Sequence, residues 1–380
     1  MVKAGILGGG QLGRMLLQQA ANYPVETFVM ESDPACPAAH LCDHFETGNI
    51  QDFEDVYRFG KMVDLLTIEI EAVNIEALEK LQEEGLLIFP HPRVLRTIKN
   101  KSLQKQFYKE HAIPTSEFHI LEPGADLFKH EAFLPFVQKL AEGGYDGKGV
   151  QIMRQAGDFA GAFAAPTLIE KMVRVKKEIA VIVGVDQQLN TAVFPPVEMV
   201  FDPELNLLDY QICPAILDKK AAEKSKEVAL NVAKSFRSPG IFAIELFLDQ
   251  DDNILVNETA PRVHNSGHHS IEGNYCSQYD MLWRIMLGYE PGNTEIIEGS
   301  ALVNLIGEKG FSGPTAYLGL EELLAMDKTY LHLYGKRQTK PGRKMGHVTI
   351  LGSDHEELLE KANIVKKTLR VVSSEAVNQD

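Results

Sequence analysis

Strand-like and helix-like runs alternate through the first hundred residues, and this alternation limits the fold more than any other feature. Residues 4–7 and 26–30 are short apolar runs, residues 12–21 carry helical periodicity between them, and the apolar run 63–70 precedes a helical pattern over 75–81. Strand, helix, strand, helix is the mark of a parallel, doubly wound α/β sheet. The first strand turns into the first helix through Gly8-Gly9-Gly10-Gln11-Leu12-Gly13, which fits G-x-G-x-x-G, and Glu31 or Asp33 lies about 20 residues further on. Two readings stand here. One is a dinucleotide site with the pyrophosphate on the helix N-terminus; the other is a tight turn that favours glycine for its own sake. Ile88-Phe89-Pro90-His91-Pro92 ends the block.

The texture then changes. A polar helix is expected over 99–111, followed by Pro114 and a glycine-dense stretch, Glu142-Gly143-Gly144-Tyr145-Asp146-Gly147-Lys148-Gly149. β-like runs come next, at 167–170, 179–185, 191–194, 241–248 and 254–257, so the middle of the chain reads as a mixed α+β unit closing near Pro291-Gly292. Ser353-Asp354-His355-Glu356 reads as a capping box that opens a helix through about residue 369.

Charge and cysteine content narrow the function classes. With 38 basic and 53 acidic side chains the net charge is −15, which argues against a nucleic-acid or anionic-membrane partner. Cys36, Cys42, Cys213 and Cys276 show no paired metal spacing and read as reduced thiols. Glycines interrupt the N-terminal apolar run before a secretory pattern develops, and Glu245 breaks the apolar run 241–248. A cytoplasmic protein is expected.

Several groups carry chemistry. Residues 240–248 and 254–257 look like a hairpin around Asp249-Gln250-Asp251-Asp252-Asn253. With the turn centred between Asp251 and Asp252, Glu245 faces Glu258. Like charges in that position are unfavourable, and a cation such as Mg²⁺ shared with phosphate oxygens removes the conflict, with Asn257 as a nearby neutral oxygen. The four glycines of 142–149 suit a loop that wraps a polyphosphate, and Lys101 and Lys139 are cations within reach of such a ligand. Arg262-Val263-His264-Asn265-Ser266-Gly267-His268-His269 reads either as a metal cluster or as a segment that handles anions and protons. Five cations fall within 336–344, bent by Pro341-Gly342; this is either a solvated face or a phosphate-binding turn. Trp283 is most simply core.

Four of these stretches, GGGQLGRM at 8–15, GGYDGKG at 143–149, NETAPRVHNSGH at 257–268 and PGRKMGH at 341–347, resemble the N5-carboxyaminoimidazole ribonucleotide synthetases of the ATP-grasp superfamily, in order and over essentially the whole chain. The resemblance implies a Rossmann-like domain that binds no dinucleotide (1–100), an ATP-grasp domain (101–295) with a lid at about 110–170, and a small C-terminal domain (296–380). It implies carboxylation of 5-aminoimidazole ribonucleotide with ATP and bicarbonate, through carboxyphosphate. ATP would meet Lys101, Lys139, Gly144, Tyr145, Asp146, Gly147, Lys148, Gly149, Glu170, Lys171, Met172, Val173, Glu178, Asn257 and Glu258. Glu245 and Glu258 would hold Mg²⁺, with Mn²⁺ as the alternative. The ribonucleotide and bicarbonate side would be lined by Gln11, Glu71, Tyr145, Lys148, Arg262, Asn265, Lys336, Arg343 and Lys344, with Asp146, Arg262 and His264 as catalytic groups. A homodimer is expected. The chain departs from the family pattern at Met199 and Phe201, where V-E-N-x-H is usual, at residues 140–142, which are less basic, and at 67–72, which lack the aromatics and asparagine of Y-E-F-E-N.

Overall fold

The computed structural model describes residues 1–143, 149–201 and 208–377, and among them the strands form four sheets. The first is the parallel sheet that the opening alternation predicts. β1 (Val2–Leu7), β2 (Val25–Glu31), β3 (His44–Thr47), β4 (Leu65–Ile68) and β5 (Leu87–Phe89) stand in the order β3-β2-β1-β4-β5. The helices α1 (Gln11–Ala20), α2 (Phe53–Gly60) and α3 (Ile75–Glu83) make the crossovers. Asp52 and Asn74 start α2 and α3 by accepting a backbone N–H three residues on. β3 has no apolar run to announce it, because it is a short, largely accessible edge strand.

The single helix expected over 99–111 is in fact the end of α4 (Pro92–Lys99) and the whole of α5 (Lys101–Glu110). Asn100 between them is extended, and its side chain accepts hydrogen bonds from the N–H groups of Ser102 and Leu103. This restart places Lys101 at the first position of α5.

A small antiparallel sheet follows, made of β6 (Phe118–Leu121), β7 (Phe136–Leu140), β8 (Val150–Met153) and β9 (Thr167–Lys171) in the order β6-β9-β7-β8. It has its own core of Leu121, Leu127, Phe136, Met153, Phe159 and Ile169. The glycine-dense stretch joins β7 to β8.

The largest sheet begins with β10 (Val175–Val185), β11 (Thr191–Val193), β12 (Val197–Phe201), β13 (Leu208–Cys213), β14 (Gly240–Asp249), β15 (Ile254–Ala260) and β16 (Gly299–Ile306). β17 (Gly313–Leu318), β18 (Thr329–Leu333), β19 (Gln338–Thr339), β20 (Lys344–Gly352) and β21 (Arg370–Ser373) complete the strands. The large sheet runs β15-β14-β10-β12-β13-β16-β20-β18, with β11 on β10, and β19-β17-β21 forms the fourth sheet. Strands from beyond residue 296 thus extend the same sheet that carries Glu245.

α6 (Lys219–Phe236) covers one face of the large sheet, packing Val228, Val232 and Phe236 with Val181, Val183 and Ile244. The opposite face receives α7 (Ser270–Gly273) and α8 (Gln278–Met286). α8 also anchors the first unit: fully buried Trp283 donates its indole N–H to the Leu16 carbonyl at 2.8 Å and shares a core with Ile6, Leu16 and Ile182. α9 (Leu320–Leu324), α10 (His355–Thr368) and α11 (Ser374–Val377) complete the helices. Asp354 caps α10 in place of Ser353, because it is the Glu357 N–H that lies three residues ahead of an extended residue. Ser353 instead gives its N–H to the Glu357 carboxylate at 3.0 Å.

Candidate active site

Glu245 and Glu258 are directly opposed on β14 and β15, on the face turned away from α6. The hairpin reaches this pairing differently from the unbroken register expected. Leu248 pairs with Ile254, Phe247 with Leu255 and Leu246 with Val256, one position out of step. Asn257 is the extra residue of a bulge that brings Glu245 back opposite Glu258. The bulge also re-aims Asn257, whose side-chain Oδ1 accepts a hydrogen bond from Lys139 Nζ at 3.0 Å.

The two carboxylates differ electrically. Lys101 Nζ stands 2.7 Å from Glu258 Oε2, and its charge, with those of Lys139 and His264, holds the Glu258 carboxyl well below the usual range. Glu245 is pushed up, first by burial and then by the charges of Glu258 and Glu178. Two carboxylates and an amide oxygen are hard donors that suit Mg²⁺ when phosphate oxygens complete the shell. Among the described residues no group of three His, Cys, Asp or Glu side chains is placed to hold a metal alone, the histidine-rich segment included.

Lys139 also contacts the buried Glu170 at 2.9 Å. The resemblance set Glu170 along the adenine; its carboxylate lies among Lys139, Lys105 and Ser116. Lys171 turns its ammonium to the carbonyls of Phe133 and Leu134, at 2.9 and 3.1 Å. Met172 and Val173 form the passage from β9 to β10, the seam between the small and large sheets. Glu178 on β10 shares the face of Glu245 through the pairing of Ala180 with Glu245, and burial raises its pKa. Met199 and Phe201, the residues that depart from the family pattern, pack with Ala180 and Leu208. That corner is apolar here.

Arg262 and His264 follow the end of β15, and Arg262 turns to the first unit. Arg262 Nε pairs with Glu71 Oε1 at 2.9 Å, and His264 Nε2 lies 3.8 Å from Glu245 Oε1 while its Nδ1 meets Ser266 Oγ at 3.0 Å. Asn265 opens the short turn that follows, and Gln11 is the first residue of α1. Beside the start of α1 stands one more acidic residue, given no role by the sequence alone. Glu69 is buried, its Oε1 accepts the Leu12 N–H at 3.1 Å, and its pKa is raised chiefly by burial. A Cβ on Gly10 would come within 2.4 Å of that oxygen. The glycine loop is therefore folded around a carboxylate of its own chain, which occupies the helix N-terminus where a pyrophosphate would sit. The dinucleotide reading falls on this point. Glu69 and Glu71 lie in the bend just after β4, where the first reaches the glycine loop and the second reaches Arg262.

In the basic run, Lys336 Nζ donates to the Lys344 carbonyl at 2.7 Å and lies 5.6 Å from the Tyr334 ring centre. Arg343 turns its guanidinium to the Gln338 carbonyl at 2.7 Å. Lys336 and Lys344 are thus held together, with Arg343 directed to the opposite limb of the turn. Lys344 is close enough to His268 for its charge to act on that ring. Gly149 opens the approach to β8, where its carbonyl accepts the Leu140 N–H at 2.8 Å. Gly144, Tyr145, Asp146, Gly147 and Lys148 lie outside the described residues.

Comparison with known proteins gives this arrangement a family. Residues 1–99 match the ribonucleotide synthetase preATP-grasp domain, 106–279 the ATP-grasp domain, and 300–361 the phosphoribosylaminoimidazole carboxylase C-terminal domain. The chain is 32% identical to the N5-carboxyaminoimidazole ribonucleotide synthase of Aquifex aeolicus, over 97% of this chain and 98% of that one. It is 33% identical to the chloroplastic phosphoribosylaminoimidazole carboxylase of Vigna aconitifolia over 93% of its own length, and spans only 64% of that longer protein. The crystal structure of N5-carboxyaminoimidazole ribonucleotide synthetase from Thermotoga maritima superimposes with a TM-score of 0.92 at 38% identity, covering 98% of this chain and all of that one (100%). The Aspergillus clavatus N5-carboxyaminoimidazole synthase, solved with ADP and 5-aminoimidazole ribonucleotide, gives 0.86 at 31% identity, covering 96% of this chain and 99% of that one. With its three matched domains in order and full-length relatives above 30% identity, this chain belongs to the N5-carboxyaminoimidazole ribonucleotide synthase family of ATP-grasp enzymes.

Proposed function

We propose that this chain converts 5-aminoimidazole ribonucleotide, bicarbonate and ATP to N5-carboxyaminoimidazole ribonucleotide, ADP and phosphate, a step of purine biosynthesis. The observation that carries the reading is the opposed pair Glu245 and Glu258 with Lys101 and Lys139 on one side and His264 on the other. It is a place for the phosphates of ATP next to a place for a small anion. A bicarbonate oxygen attacks the γ-phosphorus, the bond to the β-phosphate oxygen breaks, and ADP leaves with carboxyphosphate formed. The exocyclic amine then attacks the carboxyl carbon, directly or as released CO₂; phosphate departs and the amine loses a proton.

Lys101 and Lys139 bind the phosphates and stabilise the charge that develops in transfer. Glu245 and Glu258, with Asn257 nearby, would hold Mg²⁺ or Mn²⁺, which supplies charge neutralisation on the phosphates. Arg262, kept in place by Glu71, orients the bicarbonate, and His264 and Asp146 are the proton-handling candidates. Met172, Val173 and Glu178 would meet the base and ribose. Gln11, Asn265, Lys336, Arg343 and Lys344 would receive the ribonucleotide, its 5′-phosphate falling to the basic run. The glycine loop 143–149, carried by the small sheet, would close over the site and keep water from the fragile intermediate.

We divide the chain into 1–100, 101–295 and 296–380, the last two sharing one sheet. A homodimer in the cytoplasm is the expected state, and sedimentation of the purified chain tests the assembly. Among the described residues no helix is long and apolar enough to cross a membrane. The reading is tested by phosphate release. Release from ATP that requires both bicarbonate and 5-aminoimidazole ribonucleotide is expected, and release indifferent to the ribonucleotide would overturn it.

A further inference from the structure

The small and large sheets meet at a buried ionic knot that the reaction scheme above leaves unused. Lys105, one turn after Lys101 on α5, is only 3% exposed, and Glu170 on β9 is 4% exposed. Lys105 Nζ lies 2.7 Å from Glu170 Oε2 and donates to Thr115 Oγ1 at 2.6 Å and Ser116 Oγ at 3.1 Å; Ser116 Oγ donates to the same Glu170 oxygen at 2.6 Å. The segment that carries these two hydroxyls is itself pinned to β15. Thr115 Oγ1 donates to the Val256 carbonyl at 2.7 Å, and the Val256 N–H donates to the Pro114 carbonyl at 2.8 Å. Val256 immediately precedes Asn257, the partner of Lys139.

Glu170 therefore has two cations on its two oxygens, Lys105 on Oε2 and Lys139 on Oε1 at 2.9 Å. Burial pulls the Lys105 ammonium down to about 8, and Lys139 and Lys105 together hold Glu170 down to about 2 despite its burial. A buried pair of this kind is a weak source of stability, because apolar side chains of equal volume often serve as well. What it does supply is position.

We propose that Lys105 is a positioning residue for the nucleotide: by neutralising Glu170 it prevents that carboxylate from capturing Lys139, and so keeps the Lys139 ammonium shared with Asn257 and turned to the phosphates. The proposal rests on the assignment of Lys139 to ATP made above. Without Lys105, Glu170 has Lys139 as its one countercharge among the contacts described, and phosphate must compete with it for the same ammonium.

The experiment is calorimetric titration of MgADP into the full chain and its variants, with KM measured for each substrate. Lys105→Gln keeps hydrogen-bond donors for Thr115 and Ser116 but drops the charge. It is expected to weaken MgADP about tenfold and to raise the KM for ATP similarly, with the ribonucleotide KM within about twofold. The pair Lys105→Gln with Glu170→Gln removes both charges, frees Lys139, and is expected to bring MgADP affinity back to within about threefold of the parent. Unchanged MgADP affinity in Lys105→Gln, a double variant no better than the single, or equal damage to both KM values would each overturn the positioning role. A parent chain that fails to bind MgADP would overturn the nucleotide reading itself and the proposal with it; binding by the parent and by Lys105→Gln alike would overturn the proposal alone.

Discussion

Glu245 and Glu258 are chemically the same residue placed in different electrical company, and substitutions at the two sites should separate. Glu258 is the partner of Lys101, so Glu258→Gln leaves that lysine with less countercharge and should lower stability by about 1 kcal/mol, discounted for its open position. Glu245 is half-buried and pushed toward its neutral form, so Glu245→Gln should leave the melting temperature unchanged or slightly higher. Both should lose about a hundredfold or more in kcat, because each removes a donor from the site assigned to Mg²⁺. Melting curves and steady-state rates on the two variants check this. Equal thermal shifts would show that the asymmetry of the pair is not as described.

Single elements carry their own tests. Asn100 ends one helix, caps the next and gives its side-chain N–H to Glu142 at 2.9 Å, while the Lys101 N–H reaches the Ala141 carbonyl at 2.7 Å. Asn100→Ala should cost about 1 kcal/mol as a lost cap and raise the KM for ATP, since Lys101 is the first residue behind it. Trp283 joins α8 to α1, and Trp283→Ala should cost about 3–5 kcal/mol by chemical denaturation.

These elements also show how far the chain could be read in advance. The parallel sheet was legible because its buried strands are continuous apolar runs bounded by glycine and proline. Asn100 was not, since a polar helix and a polar cap look alike in composition. The opposition of Glu245 and Glu258 was expected from a turn centred between Asp251 and Asp252, but the register beside the turn is one position out of step and the bulge at Asn257 restores the pairing. That bulge was not legible, because a one-residue insertion leaves no mark in an alternation only seven residues long. Glu69 and Lys105 escaped for a shared reason. Each does its work through a contact distant in sequence, with Leu12 in one case and Glu170 in the other.

Across the whole molecule, the large sheet runs unbroken from Glu258 on β15 to His332 on β18, and a stack of imidazoles closes its far end. His347 lies 4.4 Å from His332 and 4.8 Å from His268 between ring centres. Burial holds His268 and His347 well below the usual histidine range and brings His269 down to about 4. Each binds fewer protons folded than unfolded between its depressed value and about 6.5, so stability is present above that window and falls as the pH drops through it. Each ring contributes up to about 1.4 kcal/mol per pH unit there. Melting temperatures taken at several pH values should fall between about pH 6.5 and pH 4, and His269→Asn, which retains a side-chain N–H for the Ser266 carbonyl, should flatten the slope. A melting temperature indifferent to pH in that range would count against neutral buried histidines.

The chemistry assigned to the site has one atom that can be followed directly. In a reaction through carboxyphosphate, one oxygen of bicarbonate ends in the phosphate product, because the P–O bond made in the first step survives the second. Turnover with oxygen-18 bicarbonate, ATP and 5-aminoimidazole ribonucleotide should therefore yield inorganic phosphate carrying one labelled oxygen per carboxylated product, read by mass spectrometry. Phosphate with no label, formed at the same rate as product, would contradict the assignment.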